Sequence, residues 1–218
     1  MKTLNYMKNN GELTQFPIHY GRIYKEVPKL INSSYSLIPS LDFFEQRINA
    51  WKLNDSKLIK NWTRNSYLSN EGIISNSDGR IKIISDLFSV LKNLNISKPL
   101  ELNEELVLKK GNYDKFNGVE FSKEELNNLI DRELTKEEAL KNELWLAFFQ
   151  NKKESLESYV DDLYSKFNIP KLMKINLGVR NTKHDTIKGL LIGSLGNGIY
   201  TINPSNQALI LTKKIVIN

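Results

Sequence analysis

The residues best suited to chemistry are the two histidines, His19 and His184. His184 begins a His-Asp-Thr triplet at 184–186, and a His-x-Thr pair occurs in two-histidine phosphoesterases, where one imidazole is the base and the other the acid. Such an enzyme needs two facing motifs, and His19 does not supply the second. Neither histidine has carboxylates at a metal-ligand spacing. We therefore predict that His184 is a solvent-exposed loop residue, with an enzyme of unrecognised type around it as the alternative.

A glycine-rich stretch at 193–198 is the next candidate, because glycine loops can hold phosphate groups. A phosphate loop joins a strand to a helix, whereas a β-type run follows here, so we predict a turn. The paired carboxylates Glu124-Glu125 and Asp161-Asp162 have no convergent partner, and the second pair falls on the solvated face of its helix. The sequence therefore predicts no catalytic residue, no cofactor and no metal site.

Charge is distributed unevenly along the chain, whose formal net charge is +6. Counting Lys and Arg against Asp and Glu gives +6 for residues 1–100, −6 for 101–167 and +6 for 168–218. Basic ends can contact nucleic acid, the acidic middle of the same chain, or the acidic middle of a neighbouring copy.

Partner-binding residues are expected where basic and aromatic side chains alternate near the N-terminus and where the C-terminal segment is almost free of acids. The residues that we select are Tyr20, Arg22, Tyr24, Lys25, Lys171, Lys174, Arg180, Lys183, Lys188, Lys213 and Lys214. Alternation also fits an ordinary edge strand.

The elements that would position these residues begin with 1–39, where three prolines separate five aromatic residues. Proline restricts itself and the preceding residue to extended or turn geometry, so we predict an extended arm that docks on the body or on a partner. Ser40 and Ser56 are predicted to cap two short helices. A β-hairpin is predicted near 73–83, because Asp-Gly lies between two apolar runs.

The strongest local signal is a helical unit over 122–167. Two capping boxes, at 122–125 and 135–138, place a hydroxyl and a glutamate where each satisfies a backbone amide. An apolar hexad at 144–149 and an apolar stripe over 156–167 are predicted to be buried. The chain then changes to β-type runs separated by turn residues, which favours an antiparallel meander.

Fold class and domains follow from these elements. We predict an α+β fold with a mainly helical body over 40–167, an extended N-terminal arm over 1–39 and a small antiparallel β-sheet over 168–218. With 218 residues, 40% hydrophobic content and no window of about 18 apolar residues, the composition is that of a globular protein without a membrane helix. The first residues lack an apolar signal region, so a cytoplasmic or intracellular-assembly setting is expected. The chain has no cysteine, which excludes disulfides but does not by itself fix the compartment.

The function predicted from the sequence is a non-enzymatic structural or interaction protein in a homo- or hetero-oligomeric assembly, such as a phage neck or tail component. The partners would be other proteins or copies of the chain itself, and not a membrane. The alternative is a nucleic-acid-binding protein that uses the basic N-terminal arm and C-terminal sheet.

Overall fold

The computed structural model describes residues 2–7, 13–94, 100–101, 104–109, 111–130, 133–167, 175–177, 184–194 and 198–214. The strands are β1 Lys2–Met7, β2 Leu13–Arg22, β3 Tyr35–Leu37, β4 Tyr67–Ser75, β5 Ile81–Ile84, β6 Leu106–Val107, β7 Val119–Phe121, β8 Ile175–Asn176, β9 Thr186–Ile192, β10 Ile199–Ile202 and β11 Gln207–Lys214. The helices are α1 Ile23–Asn32, α2 Ser40–Lys52, α3 Ser56–Thr63, α4 Leu87–Asn93, α5 Lys123–Leu129, α6 Lys136–Ala139, α7 Glu143–Phe148 and α8 Lys153–Phe167, with a 3-10 turn at Tyr113–Lys115. None of these helices is long and apolar enough to cross a membrane.

All eleven strands of the described part form one mixed sheet in the order β1-β2-β11-β4-β9-β10-β8. From this path, β3 pairs with β11, β5 with β4, β7 with β5, and β6 with β9. The prediction of a mainly helical body with a separate small sheet is therefore wrong. Helix caps are local signals, whereas this sheet is assembled from strands far apart in sequence. The division into three domains stays a prediction, although strands from all three segments pair here.

The prediction of an extended N-terminal arm is also wrong, because this segment forms β1, β2, α1 and β3. Its prolines are accommodated inside regular structure. Pro17 lies opposite Thr3 of β1, at a point where β2 has not yet met β11, whose pairing begins at Ile18. Pro28 lies inside α1, and Pro39 is the N-cap of α2. Proline fixes its own φ and lacks a backbone donor, so Pro39 at the start of α2 costs no helical hydrogen bond, whereas Pro28 removes one inside α1.

The C-terminal run does not form a meander. β9 and β10 are antiparallel neighbours, but β8 pairs with β10 in parallel. β11 is inserted between two N-terminal strands, antiparallel to β2 and parallel to β4. Parallel pairing needs a long connection, and the entire chain between β4 and β11 supplies it. The closing strand therefore holds the sheet together at its centre.

Helices cover both faces of the sheet, and the apolar core is divided accordingly. Ile73 and Ile74 are adjacent on β4 but belong to different hydrophobic clusters, because successive strand side chains point to opposite faces. The larger cluster takes its side chains from α2, α3, α7 and α8, together with α5 and α6. The smaller one takes them from α1, α4 and the chain around Tyr113.

The helical unit over 122–167 has the local structure that its sequence predicts. Both capping boxes are confirmed, with Ser122 and Thr135 accepting from the amides of Glu125 and Glu138. In the hexad at 144–149, four side chains are buried and the other two are half-buried. Other caps differ from prediction, since Pro39 precedes α2 and Asp55 caps α3, accepting from the Lys57 and Leu58 amides.

Glu71 replaces the cap that proline cannot supply to α2. The pairing of β4 with β9 is irregular between Leu68 and Gly72, and Glu71 lies in this irregularity with only 5% of its surface exposed. Its two carboxyl oxygens accept from the backbone amide of Ser40 at 3.1 and 3.0 Å. A strand side chain thus satisfies the first amide of the helix packed above it.

Two serine hydroxyls lie beside the buried Glu71 carboxyl. Ser40 donates its hydroxyl proton to the Phe148 carbonyl at 2.7 Å, and Ser69 donates to the Leu190 carbonyl at 3.2 Å. Both hydroxyls also form hydrogen bonds with the Glu71 carboxyl. Burial raises the pKa of Glu71 from 4.5 to about 7, partly opposed by the hydrogen bonds from the Ser40 amide and with the two hydroxyls.

Replacing Glu71 by Gln should remove a pH dependence of stability. Because the folded pKa lies above the unfolded value, the folded state binds the extra proton, and the stability contributed by Glu71 falls as pH rises from about 4.5 through about 7. The loss amounts to roughly 3 kcal/mol. Glu71→Gln keeps the shape and cannot ionise, so its free energy of unfolding relative to wild type should increase with pH. Urea unfolding of both proteins at several pH values would measure this, and parallel curves would contradict it.

The turn between α7 and α8 holds two non-glycine residues in the left-handed region, Gln150 at φ 51° and Asn151 at φ 62°. The Asn151 amide donates to the Leu146 carbonyl at 2.7 Å, which fixes this conformation. Asparagine tolerates positive φ better than glutamine does, so the strain falls on Gln150.

Substituting Gln150→Gly should stabilise the protein by about 1 kcal/mol, because glycine adopts positive φ without a Cβ clash. The melting temperature should rise by about 2–4 °C for a chain of this size. The control is Gln150→Ala, which removes the same polar group but keeps the Cβ atom and should give no gain. Equal melting temperatures for the two variants would show that strain is not the cause.

Candidate interaction surfaces

The two histidines lie in different parts of the structure and do not share a site. His184 is exposed, and its neighbour Asp185 is buried, accepting from the Ser77 amide at 3.3 Å. His19 lies on β2, with its Nε2 atom 3.1 Å from the Thr212 hydroxyl. Burial lowers the pKa of His19, so its ring is neutral at pH 7. No group of three or more His, Cys, Asp or Glu residues that could hold a metal occurs in the described ranges.

The glycine-rich stretch connects two antiparallel strands, and the Gly193 amide donates to the Gly198 carbonyl at 2.7 Å. Residues 195–197 between them lie outside the described part. Arg47 of α2, only 2% exposed, donates to the carbonyls of Gly193 at 2.5 Å and Trp62 at 2.9 Å, and to the Tyr159 hydroxyl at 3.1 Å. Arg47 therefore fixes the start of this turn against three helices. Arg47 lies three residues after Phe44, on the apolar face of α2, and this spacing predicts that its side chain is buried.

Asp161 and Asp162, the second pair of carboxylates, belong to ion pairs with lysines. Asp161 lies 2.6 Å from the Lys136 ammonium, and Glu157 lies 3.6 Å from the same group. The hydrogen bond with Asp161 raises the pKa of Lys136. Asp162 pairs with Lys166 one helical turn away at 2.9 Å. These contacts connect α6 to α8 and stabilise α8 itself.

The four N-terminal residues selected for binding lie at the junction of β2 and α1, and their binding role stays a prediction. Tyr20 is 65% exposed and donates to the Gln207 side chain at 2.6 Å. Arg22 donates to the Leu100 carbonyl at 3.0 Å. Tyr24 is buried, and the exposed Lys25 ammonium lies 5.7 Å from the centre of its ring. Tyr20 and Lys25 are therefore the exposed members of this group.

The C-terminal basic residues do not join the N-terminal group. Lys171, Lys174, Arg180 and Lys183 lie outside the described residues. Lys188 pairs with Glu105 at 3.1 Å, and Lys213 pairs with Asp42 at 2.8 Å. Lys214 is exposed near the end of β11, seven residues from the Gln207 position that pairs with Arg22, or about 23 Å along an extended strand.

The acidic middle of the chain neutralises bases from both flanking segments. Besides Lys188 with Glu105, Glu120 lies 3.0 Å from Arg80 and 3.6 Å from Lys82. Several charges that give the linear sequence its alternating sign are therefore paired within one fold. Pairing with the acidic middle of the same chain is one of the three alternatives that the charge pattern allowed.

A cluster around Tyr113 was not predicted from the sequence. In it, the cationic groups of Arg80 and Lys82 lie 5.2 and 4.5 Å from the ring centre. Lys82 also donates to the Tyr113 carbonyl at 3.3 Å. Burial, together with the Glu120 carboxylate, raises the pKa of the Tyr113 hydroxyl and keeps it protonated. These residues come from separate elements and share no sequence motif, so only the fold brings them together.

One group of cations has no ion-pair partner anywhere in the part of the chain that the structure describes. Lys57, Lys60 and Arg64 are exposed at i, i+3 and i+7 along α3 and its C-cap, and we call them the basic face. The opposite side of the helix packs Leu58 and Trp62 into the larger core. A helix anchored by its buried side thus presents three cations on one rigid stripe about 10 Å long.

A cleft of about 390 Å³ separates the end of α2 from the start of α8. Its walls are mostly polar and carry both signs of charge, with Lys52 and Lys152 on opposite sides. Glu45 pairs with Lys152 at 3.4 Å within it. Because each wall mixes donors and acceptors, the cleft itself indicates no particular ligand.

A surface of opposite sign lies on the first turns of α5 and α6, and we call Glu124, Glu125, Glu137 and Glu138 the acidic edge. All four are exposed. Glu125 and Glu138 also complete the capping boxes, and the hydrogen bond from the Ser122 amide lowers the pKa of Glu125. Glu125 therefore stays ionised well below neutral pH.

Comparison with solved structures identifies the fold. A solved structure described as "Accommodation of massive sequence variation in Nanoarchaeota by the C-type lectin fold" superposes on this chain with a TM-score of 0.65 and 13% sequence identity. The match covers 91% of this chain and 98% of the other. The chain therefore has a C-type lectin fold, and at this identity the likeness shows the fold alone. Neither the protein-family models nor the curated proteins give a match.

The ion pair between Lys188 and Glu105 should contribute measurably to stability, because their side chains are only 12% and 30% exposed. A double-mutant cycle of Lys188→Met and Glu105→Gln should give a coupling energy of about 1–2 kcal/mol. The matched control is the Lys29–Glu26 pair, which is 68% and 27% exposed and should give about 0.3 kcal/mol. Urea unfolding of the four proteins in each cycle provides the measurement. Equal couplings for both pairs would contradict the effect of burial.

Proposed function

We propose that this protein is a non-enzymatic interaction protein that acts in an assembly of its own copies or with partner subunits. The observation that supports this most is the uncompensated basic face, which lies on a helix fixed to the core. Exposed cations on a rigid element lose little conformational freedom of the backbone when they meet an acidic partner. Lys188 and Lys213 are paired internally, whereas the three cations of the basic face belong to no ion pair within the described ranges.

The fold is compatible with this role. The neighbouring structure is described in terms of a fold that accommodates massive sequence variation. A scaffold of this kind keeps its core while surface residues change, and binding proteins need that property. In this chain, two separate hydrophobic clusters hold the sheet from both faces, so that exposed helices and loops can vary without loss of the core.

Self-assembly is the form of this proposal that can be tested first. Light scattering at high protein concentration and low salt should give a mass above the 25.2 kDa of one chain, and added salt should reduce it. A strict monomer under these conditions would count against self-assembly. A phage neck or tail is one setting for such an assembly, and detection of the chain in purified particles by mass spectrometry would test it.

Nucleic-acid binding is a second candidate, favoured by the same uncompensated cations. It would place the phosphate contacts on Lys57, Lys60 and Arg64 rather than on the paired Lys188 and Lys213. Binding to mixed-sequence duplex DNA should then weaken steeply as salt increases, because phosphate contacts release counterions. Absence of binding at low salt would exclude this candidate.

A further inference from the structure

We propose that α3 closes the outer edge of β1 to strand addition by a second copy of the chain. β1 is the first strand of the sheet path, and within the described residues it pairs on one side alone, with β2. An unpaired strand edge presents a row of backbone donors and acceptors that can pair with another chain. Assembly of the kind proposed above would therefore use other surfaces.

The direction of the backbone groups of β1 follows from its pairing with β2. Thr3 lies opposite Pro17, which has no amide proton, so these two residues do not form a hydrogen-bonded pair. The two kinds of pair alternate along an antiparallel ladder, so Thr3, Asn5 and Met7 direct their backbone N–H and C=O groups away from β2. The side chains of Gln15 and Asn5, 3.3 Å apart, agree with this, because facing side chains are closer in non-hydrogen-bonded pairs.

Trp62 of α3 occupies the middle of this outward row. Its indole N–H donates to the Asn5 carbonyl at 2.8 Å. An added strand would need the same carbonyl as an acceptor at the centre of β1. Strand addition must therefore first displace the indole.

The indole is held in place from several sides. Its ring contacts Phe16 of β2 and Phe43 of α2 edge to face, with ring centroids 6.1 and 5.2 Å apart. The buried Arg47 guanidinium donates to the Trp62 carbonyl at 2.9 Å. Because Trp62 is only 1% exposed, it cannot move away from Asn5 without disrupting the larger core. The cover over β1 is therefore rigid.

The basic face adds a second barrier. If two copies joined β1 to β1 about a two-fold axis perpendicular to the sheet, their α3 helices would lie side by side on one face of the joined sheet. Lys57, Lys60 and Arg64 of one copy would then approach the same cations of the other, and like charges repel. A covering helix and lysines beside the edge are both known ways to protect a sheet edge.

Trp62→Phe tests the cover, because phenylalanine keeps an aromatic ring in the core but cannot donate to Asn5. Sedimentation velocity should show self-association about fivefold stronger than that of the wild type, the factor that corresponds to one net hydrogen bond. The matched control is Trp145→Phe. Trp145 is also buried, but its indole N–H has no hydrogen-bond partner in the described part of the chain, so association should stay at the wild-type level.

A second substitution identifies the surface. Thr3→Pro removes an amide proton that faces outward and that β2 does not use, so the sheet itself should tolerate it. It should abolish the added association of Trp62→Phe and leave the association of the wild type unchanged. Circular dichroism melting verifies that each variant is folded.

Three results would overturn the proposal: a folded Trp62→Phe that associates like the wild type, a Trp145→Phe that associates as strongly, or added association that survives Thr3→Pro. Loss of wild-type association in Thr3→Pro alone would also overturn it, because the edge would then be open. This last test needs no change at Trp62, so it applies even if Trp62→Phe does not fold. A monomeric wild type contradicts self-assembly alone, and Trp62→Phe should then associate where the wild type does not.

Discussion

The buried carboxyl group of Glu71 is the contact that joins the central strand to the helices above it. It lies at the irregularity of β4, accepts from the first amide of α2, and contacts hydroxyls that donate to α7 and β9. A buried polar group without partners would cost several kcal/mol, so these partners must stay in place together. Proline at the preceding position makes the arrangement possible, since it starts α2 without a side-chain cap of its own.

The charged side chains of this fold are of two kinds, those paired inside the chain and those exposed at the surface. Lys188 with Glu105 and Arg80 with Glu120 connect segments of opposite sign inside the chain. The basic face of α3 belongs to no ion pair within the described residues. Internal pairs fix the fold, whereas exposed cations outside such pairs can contact another molecule. This difference, rather than net charge alone, supports an interaction role.

Local signals in the sequence were read correctly where a few neighbouring residues decide the structure. The capping boxes at Ser122 and Thr135 need only a hydroxyl, a glutamate and the intervening turn. The stripe over 156–167 needs only helical periodicity, and Leu156, Tyr159, Val160 and Leu163 are buried. The prolines were misread for a related reason. Pro17 excludes a donor but does not exclude a strand, and whether that donor is needed depends on where β11 lies.

The sequence by itself determined the helix caps, the apolar faces and the alternation of charge, because each depends on residues within a few positions of one another. Only the tertiary structure decided which strands pair, since Leu209 meets Tyr20 and Tyr67 across most of the chain length. It also decided which charges are neutralised. Lys188 was selected as a binding residue on sign alone, and its carboxylate partner is more than eighty positions away. The sign of a side chain's charge can be read from the sequence. Whether an opposite charge neutralises it depends on distances in the folded protein.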